Sequence, residues 1–474
     1  MLSKTDFLWY LDAPMHLWAR AHDQIEVKTV TAFEQHLIQQ GQQVEALAEQ
    51  YIQTFLLPKD ADLELIWQPS YDDGRFEIRA DALLWDRQAD LYDLYEIKSS
   101  TSIHKDHVYD LAFQVLLLES QINLRQAFII HINKAYQLED ALDLESFFVV
   151  SSLSEKITEQ RSTINQLREE AYTITQMPNP KPEFACTKPQ SCPCPSLCHP
   201  DLPERPIYEI PYIGKKAVTL REMGVTAIED IPESFNLNTK QRKFQNAVKS
   251  GKPIIDCQAI ETSLKDLKYP LYFLDYETFN PAVPLFSTYH PYEHIVFQFS
   301  LFIIENPGDE PKHYETLITS HEDPAPKLVP RLFNHLKPDG SVIVWNQSFE
   351  KNRNQDLAAH CPQFLAQLLG VNDRLFDLMR IFWDGHYVHP DFQGSVSLKA
   401  VLPVLCPQMR YEELAISNGE QAMLTWYWLQ TGQIPPEEEP ALREAMKTYC
   451  RLDTYGMIAI LEKLQETLRR RNGN

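Results

Sequence analysis

Four of the chain's eight cysteines, Cys186, Cys192, Cys194 and Cys198, fall within thirteen residues, inside a proline-rich stretch from Pro178 to Pro206. Such a stretch continues neither a helix nor a central strand, because proline lacks the backbone donor that both require. It divides the 474 residues into two halves, and clustered thiols are the means of holding the division in shape. The N-terminus, Met1-Leu2-Ser3-Lys4-Thr5-Asp6, has neither the charged nor the apolar region of an export signal. No run of about 18 apolar residues occurs. The expectation is a soluble, cytoplasmic chain without membrane contact, whose clustered cysteines bind metal before they form disulfides.

Each half reads as α/β. Residues 31–57 have helical apolar spacing, and strands are predicted over 76–85, 91–97 and 127–132, with helices over 104–120 and 154–176. Residues 207–256 form a small helical module. Tyr269-Pro270 opens the second α/β region, with strands over 271–276, 295–304, 313–318 and 341–345. A formal net charge of −22 disfavours nonspecific adhesion to phosphate backbones, so nucleic acid would be held through local basic patches and bound cations.

Three acidic or basic side chains in the first half are spaced for metal chemistry. Asp81 lies in one predicted strand and Glu96 and Lys98 end the next; residues two apart on a strand share a face, so Glu96 and Lys98 point together toward Asp81. Two carboxylates can hold a divalent ion, and a lysine can orient the attacking water and offset charge on the phosphate. The set resembles the PD-(D/E)XK nuclease motif, in particular the RecB-like branch that includes the CRISPR-associated exonucleases. The resemblance implies a catalytic glutamine on the following helix, which Gln114 matches, and an upstream acid, for which Glu34 and Glu45 are the candidates.

The cysteine spacing, Cys186-x5-Cys192-x-Cys194-x3-Cys198, offers four thiolates to Zn²⁺ or an iron–sulfur cluster. In the RecB-like exonucleases three such cysteines join one near the N-terminus to hold a 4Fe–4S cluster. Ala13 of Leu11-Asp12-Ala13-Pro14 stands in that N-terminal position here, which makes Cys194 the candidate fourth ligand. Downstream, Tyr212-Ile213-Gly214-Lys215-Lys216-Ala217 resembles a helix-hairpin-helix unit, with Lys215 and Lys216 as nucleic-acid contacts; a packing helix with a glycine cap is the alternative.

The second half carries Asp275 and Glu277 on an apolar strand, Glu350 just after another strand, and Tyr449 and Asp453 four apart on a helix. Four convergent acids suit a two-metal centre, with Tyr449 orienting the nucleophile. This set resembles the DEDD exonucleases of the ribonuclease H-like fold, with Glu350 where their second motif has aspartate. The whole chain resembles a bacterial family that joins a RecB-like module to a DEDD-like one.

The resulting expectation has four parts: a RecB-like PD-(D/E)XK domain over residues 1–177, a Cys-rich metal-binding segment over 178–206, a helix-hairpin-helix-like module over 207–265 and a ribonuclease H-like domain over 266–474. The expected activity is a nuclease using Mg²⁺ or Mn²⁺ on nucleic acid, DNA before RNA, with a separable activity in each half. The alternative is an inactive nucleic-acid-binding or scaffold protein built from nuclease folds.

Overall fold

A computed structural model describes residues 1–26, 28–57 and 62–472. The chain is mixed α/β and forms two compact units, Met1–Asp201 with Pro281–Tyr292, and Leu202–Asn280 with Glu293–Asn474. No helix among the described residues is long and apolar enough to cross a membrane.

In the first unit the strands are β1 (Leu2–Ser3), β2 (Leu63–Trp67), β3 (Ser70–Asp72), β4 (Phe76–Arg79), β5 (Ala82–Asp86), β6 (Leu91–Lys98), β7 (Leu124–Ile132) and β8 (Phe148–Ser152). Five of them form a sheet in the order β2-β5-β6-β7-β8, in which only β6 and β7 run parallel. The crossover between those two is the Lys105–Leu118 helix, as a parallel pair requires. Alternation along the strands feeds two cores. Ala82, Leu84 and Tyr95 pack with Val44 and Ala48 of the Ala32–Tyr51 helix, whereas Leu83, Leu94 and Ile129 pack with Leu111 and Val115 on the opposite face. Glu96 shares the face of Leu94, so it meets the Lys105–Leu118 helix.

The strand expected over 76–85 is two strands. Chain 76–79 belongs to a small sheet, β1-β4-β3, and 82–86 to the large one. Between them the Ala80 amide donates to the Pro69 carbonyl and Gln68 donates to the Asp81 carbonyl. A change of sheet leaves no signature in hydrophobic alternation, which continues unbroken across the join. Its effect is to free the Asp81 side chain from the pleat.

The second unit contains β9 (Ile254–Ile255), β10 (Leu271–Phe279), β11 (Ile295–Ile304), β12 (Lys312–Leu317), β13 (Ser341–Val344), β14 (Leu375–Asp377) and β15 (Tyr387–Val388). The main sheet has the order β12-β11-β10-β13-β14: β10 is central, antiparallel to β11 and parallel to β13. Tyr272, Leu274 and Tyr276 face a core with the Ala325–His335 and Gln347–His360 helices. The other face of β10 carries Phe273, Asp275, Glu277 and Phe279 and is covered by the Gly419–Gln430 and Glu439–Asn472 helices. There Trp426 stacks on Phe297 at 4.9 Å and its indole donates to the Ile318 carbonyl at 2.8 Å.

β13 enters this sheet through Gly340, whose φ of +78° suits glycine and whose Cβ, were one present, would lie 2.0 Å from the Pro270 carbonyl oxygen. Nothing there is a flexible side chain that could yield. Gly340→Ala should therefore cost about 2 kcal/mol or more in denaturant unfolding; an unchanged midpoint would show that the Pro270 backbone gives way.

Candidate functional sites

The first constellation assembles around Glu96, which is 1% exposed. Its Oε1 accepts from Lys98 at 2.7 Å and from Lys4 at 3.0 Å; its Oε2 accepts from Gln114 at 2.7 Å and from Lys4 at 3.1 Å. Lys98 also donates to Asp110 at 2.6 Å. Asp81 sits one residue before β5, accepts from the Ile97 amide at 2.8 Å and lies 3.8 Å from Lys4. The structure thus brings Asp81, Glu96, Lys98 and Gln114 together, and adds Lys4 and Asp110. Burial opposes the charge on Glu96, but Lys98 and Lys4 outweigh it and hold the carboxyl well below the usual range. Burial and the charge of Glu96 push Asp81 up to about 7 and Asp110 to about 6. Three carboxyls thus share two ammonium groups, and Lys4 lies between Asp81 and Glu96, where a divalent ion shared by that pair would sit. A metal fits here only if Lys4 withdraws.

Of the two upstream acids, Glu34 closes the capping box of its own helix with Thr31. Glu45 instead accepts from Gln68 and lines, with Lys4, Arg79 and Asp81, a cleft of 790 Å³.

In the second unit Asp275 and Glu277 lie on one face of β10, and Tyr449, Cys450 and Asp453 on the facing side of the last helix. The Cys450 thiol donates to Asp275 Oδ2 at 3.5 Å, and ligand atoms of Asp275, Glu277 and Cys450 lie within 4.8 Å of one another. Tyr411 donates to Asp453, as Tyr449 does. Glu350 stands in the first turn of the Gln347–His360 helix, 3% exposed, and its Oε2 has no hydrogen-bond partner among the described residues. That helix is fixed to the central strand by the Tyr276 hydroxyl donating to Asn354 at 2.8 Å.

Burial raises the carboxyls of Asp275, Glu277 and Glu350 well above their ordinary range; repulsion from Asp453 adds to this at Asp275, and repulsion from Asp275 at the other two. The positive charge of Lys399 opposes this rise at Asp275, Glu277 and Asp453; Lys399 is exposed and lies over the rings of Tyr411 and Tyr449 at 5.5 and 5.1 Å. Asp275, Glu277 and the Cys450 thiol form a donor set close enough for one divalent cation, whereas Glu350 and Asp453, which act on them by charge, lie outside that group of three. Tyr411, Lys399 and Cys450 were not singled out from sequence. Cys450 alone had a signal, being three residues before Asp453 on one helical face.

In the Cys-rich segment, ligand atoms of His16, Cys186, Cys192 and Cys198 lie within 4.8 Å of one another. This cluster could hold a metal ion such as zinc or iron in an iron–sulfur cluster. Cys194, expected as the fourth ligand, lies 3.7 Å from Cys198 but outside the group. Burial pushes the Cys192 thiol up to about 12. In the helix-hairpin-helix-like segment Lys215 is exposed, whereas Lys216 donates to Gln241 at 3.0 Å.

A family model described as a domain of unknown function (DUF2779) matches residues 272–397, which carry Asp275, Glu277 and Glu350. The uncharacterised protein MG366 of Mycoplasma genitalium is 23% identical over 280 residues, covering 55% of this chain and 42% of the relative. Its homologue in Mycoplasma pneumoniae is 25% identical over 212 residues, 41% of this chain and 32% of the relative. The chain thus spans less than half the length of either. No solved structure matches it.

The raised carboxyls of the second centre have a consequence for stability. The folded protein binds their protons more tightly than the unfolded chain does, so the penalty is absent below the ordinary carboxylate range and grows as pH rises through the raised values. In buffer freed of divalent cations, Glu277→Gln should raise the melting temperature, and by more at about pH 8 than at about pH 5. Added Mn²⁺ should stabilise the native protein and not this variant. Equal destabilisation at both pH values would make Glu277 a packing residue.

Proposed function

We propose that the chain is a metal-dependent nuclease, an exonuclease acting on nucleic acid with DNA the favoured substrate, and that the centre of Asp275, Glu277, Glu350 and Asp453 carries the reaction. The observation that carries this reading is the burial of Glu277, Glu350 and Asp453 beside half-buried Asp275, with the exposed Lys399 as their shared counter-charge and Glu350 Oε2 left without a hydrogen-bond partner among the described residues. Structural acids are paired, as those around Glu96 are. A five-stranded mixed sheet, with the two acids on its central strand and Tyr449 and Asp453 on the helix across it, supports the ribonuclease H-like DEDD reading. The resemblance likewise supports a RecB-like PD-(D/E)XK domain over 1–177, a metal-binding segment over 178–206, a helix-hairpin-helix-like module over 207–265 and the DEDD-like domain over 266–474.

Mg²⁺ or Mn²⁺ bound by the four acids would activate water and stabilise the leaving oxygen. The side chains do the rest. Tyr411 and Tyr449 hold Asp453 in place through their hydroxyls. Lys399, at the exposed rim, attracts the phosphate of an incoming strand to an otherwise acidic chain. A second, non-catalytic reading attaches to the first centre, because Lys4 and Lys98 already neutralise its carboxylates; there Lys98 and Gln114 serve as nuclease groups only after Lys4 leaves Glu96.

The test is cleavage of end-labelled single- and double-stranded DNA and RNA, with and without Mn²⁺. Asp275→Asn should reduce metal-dependent cleavage by more than the roughly 10–100-fold that changes around a metal's ligands cost, while Glu96→Gln leaves most of it. Full activity in Asp275→Asn would overturn the assignment to the second centre, and no cleavage of any substrate by the native protein would favour the scaffold alternative.

A further inference from the structure

We propose that His16, Cys186, Cys192 and Cys198 bind a single tetrahedral zinc ion, with His16 as the fourth ligand, and that this ion clasps the N-terminal helices to the Cys-rich segment. The inference is independent of the nuclease reading.

Ligand spacing separates one ion from a cluster. Zn–S bonds of about 2.3 Å and Zn–N bonds of about 2.0 Å put tetrahedral ligand atoms roughly 3.5–3.8 Å apart. His16 Nε2 lies 3.5 Å from Cys192 Sγ, and all four ligand atoms lie within 4.8 Å of one another. A four-iron cluster, with a separate iron behind each ligand, holds its ligands distinctly farther apart.

The imidazole is prepared for this role from its other nitrogen. His16 is 3% exposed, and its Nδ1 lies 2.8 Å from Asp12 Oδ2. A carboxylate there accepts a hydrogen bond from Nδ1–H, which keeps the proton on Nδ1 and leaves the lone pair on Nε2, the atom that faces Cys192. Helix geometry puts the ring in place: Ala13 caps the Pro14–Ala21 helix, and the His16 amide donates to the Ala13 carbonyl at 2.9 Å.

The loop itself has little else to hold it. Among the described residues of 182–198 the regular structure is two single 3₁₀ turns and the four-residue Pro195–Cys198 helix. Yet the four thiols are no more than 7% exposed and none is in a disulfide. A metal supplies the order that backbone hydrogen bonds do not. His199, 3.3 Å from Cys186, is outside the group of four and is not a ligand in this assignment.

The test is metal content of the full chain by mass spectrometry. The native protein should carry about one zinc and no iron. His16→Ala and Cys192→Ser should lose the zinc, whereas Cys194→Ser and His199→Ala should keep it. Should His16→Ala fail to fold, cobalt exchange decides: thiolate-to-cobalt absorption should rise by about one third in His16→Cys, as three sulfur ligands become four. Iron with broad visible absorbance, full zinc occupancy in His16→Ala, zinc loss in Cys194→Ser equal to that in Cys192→Ser, or a cobalt spectrum unchanged by His16→Cys would each overturn the proposal.

Discussion

Burying carboxylates close together is among the costliest things a fold can do, and the second unit does it around the central strand of its main sheet. Asp275 and Glu277 point from β10 into the face covered by the last helix, which brings Asp453 to them, while Glu350 enters from the helix after β13. The surrounding structure is arranged to sustain that cost. Trp426 fills the neighbouring face, Tyr276 ties the Glu350 helix to the strand, and Arg451 pairs with Glu315 at 2.9 Å to fix the last helix on β12. These contacts hold mutually repelling groups together, which is the condition for cation binding.

The first centre answers the same problem the other way. Glu96 is more deeply buried than Glu277, yet it lies between two ammonium groups and an amide, so its charge is favoured where those of the second centre are opposed. The N-terminal residues are central to this unit. Lys4 reaches the carboxylates and His16, twelve residues later, reaches the cysteines, so one short stretch of chain serves both the first centre and the cysteine cluster. Release of that stretch would alter both at once.

What could be read from the sequence follows from how local each signal is. The two acids of β10 are, with Thr278, the polar residues of an otherwise apolar strand, and Tyr449 and Asp453 lie in an unbroken helix, so strand and helix periods place them directly. Asp81 lies at a change of sheet that periodicity does not register. Lys4 reaches Glu96 from another helix, Asp110 reaches Lys98 from the crossover, and Tyr411 reaches Asp453 from an irregular segment; no spacing rule links these pairs. His16 is not marked by the cysteine pattern, which has Ala13 where a thiol is expected, although position 16 is one helical turn further along the same face.

In the proposed function the second centre takes divalent cations, while Lys4 holds the corresponding position in the first. The most direct measurement is an anomalous-scattering map from crystals of the full chain soaked in Mn²⁺. Manganese should appear among Asp275, Glu277, Glu350 and Asp453, and none between Asp81 and Glu96. Manganese between Asp81 and Glu96 with Lys4 displaced, and none at the second centre, would contradict it.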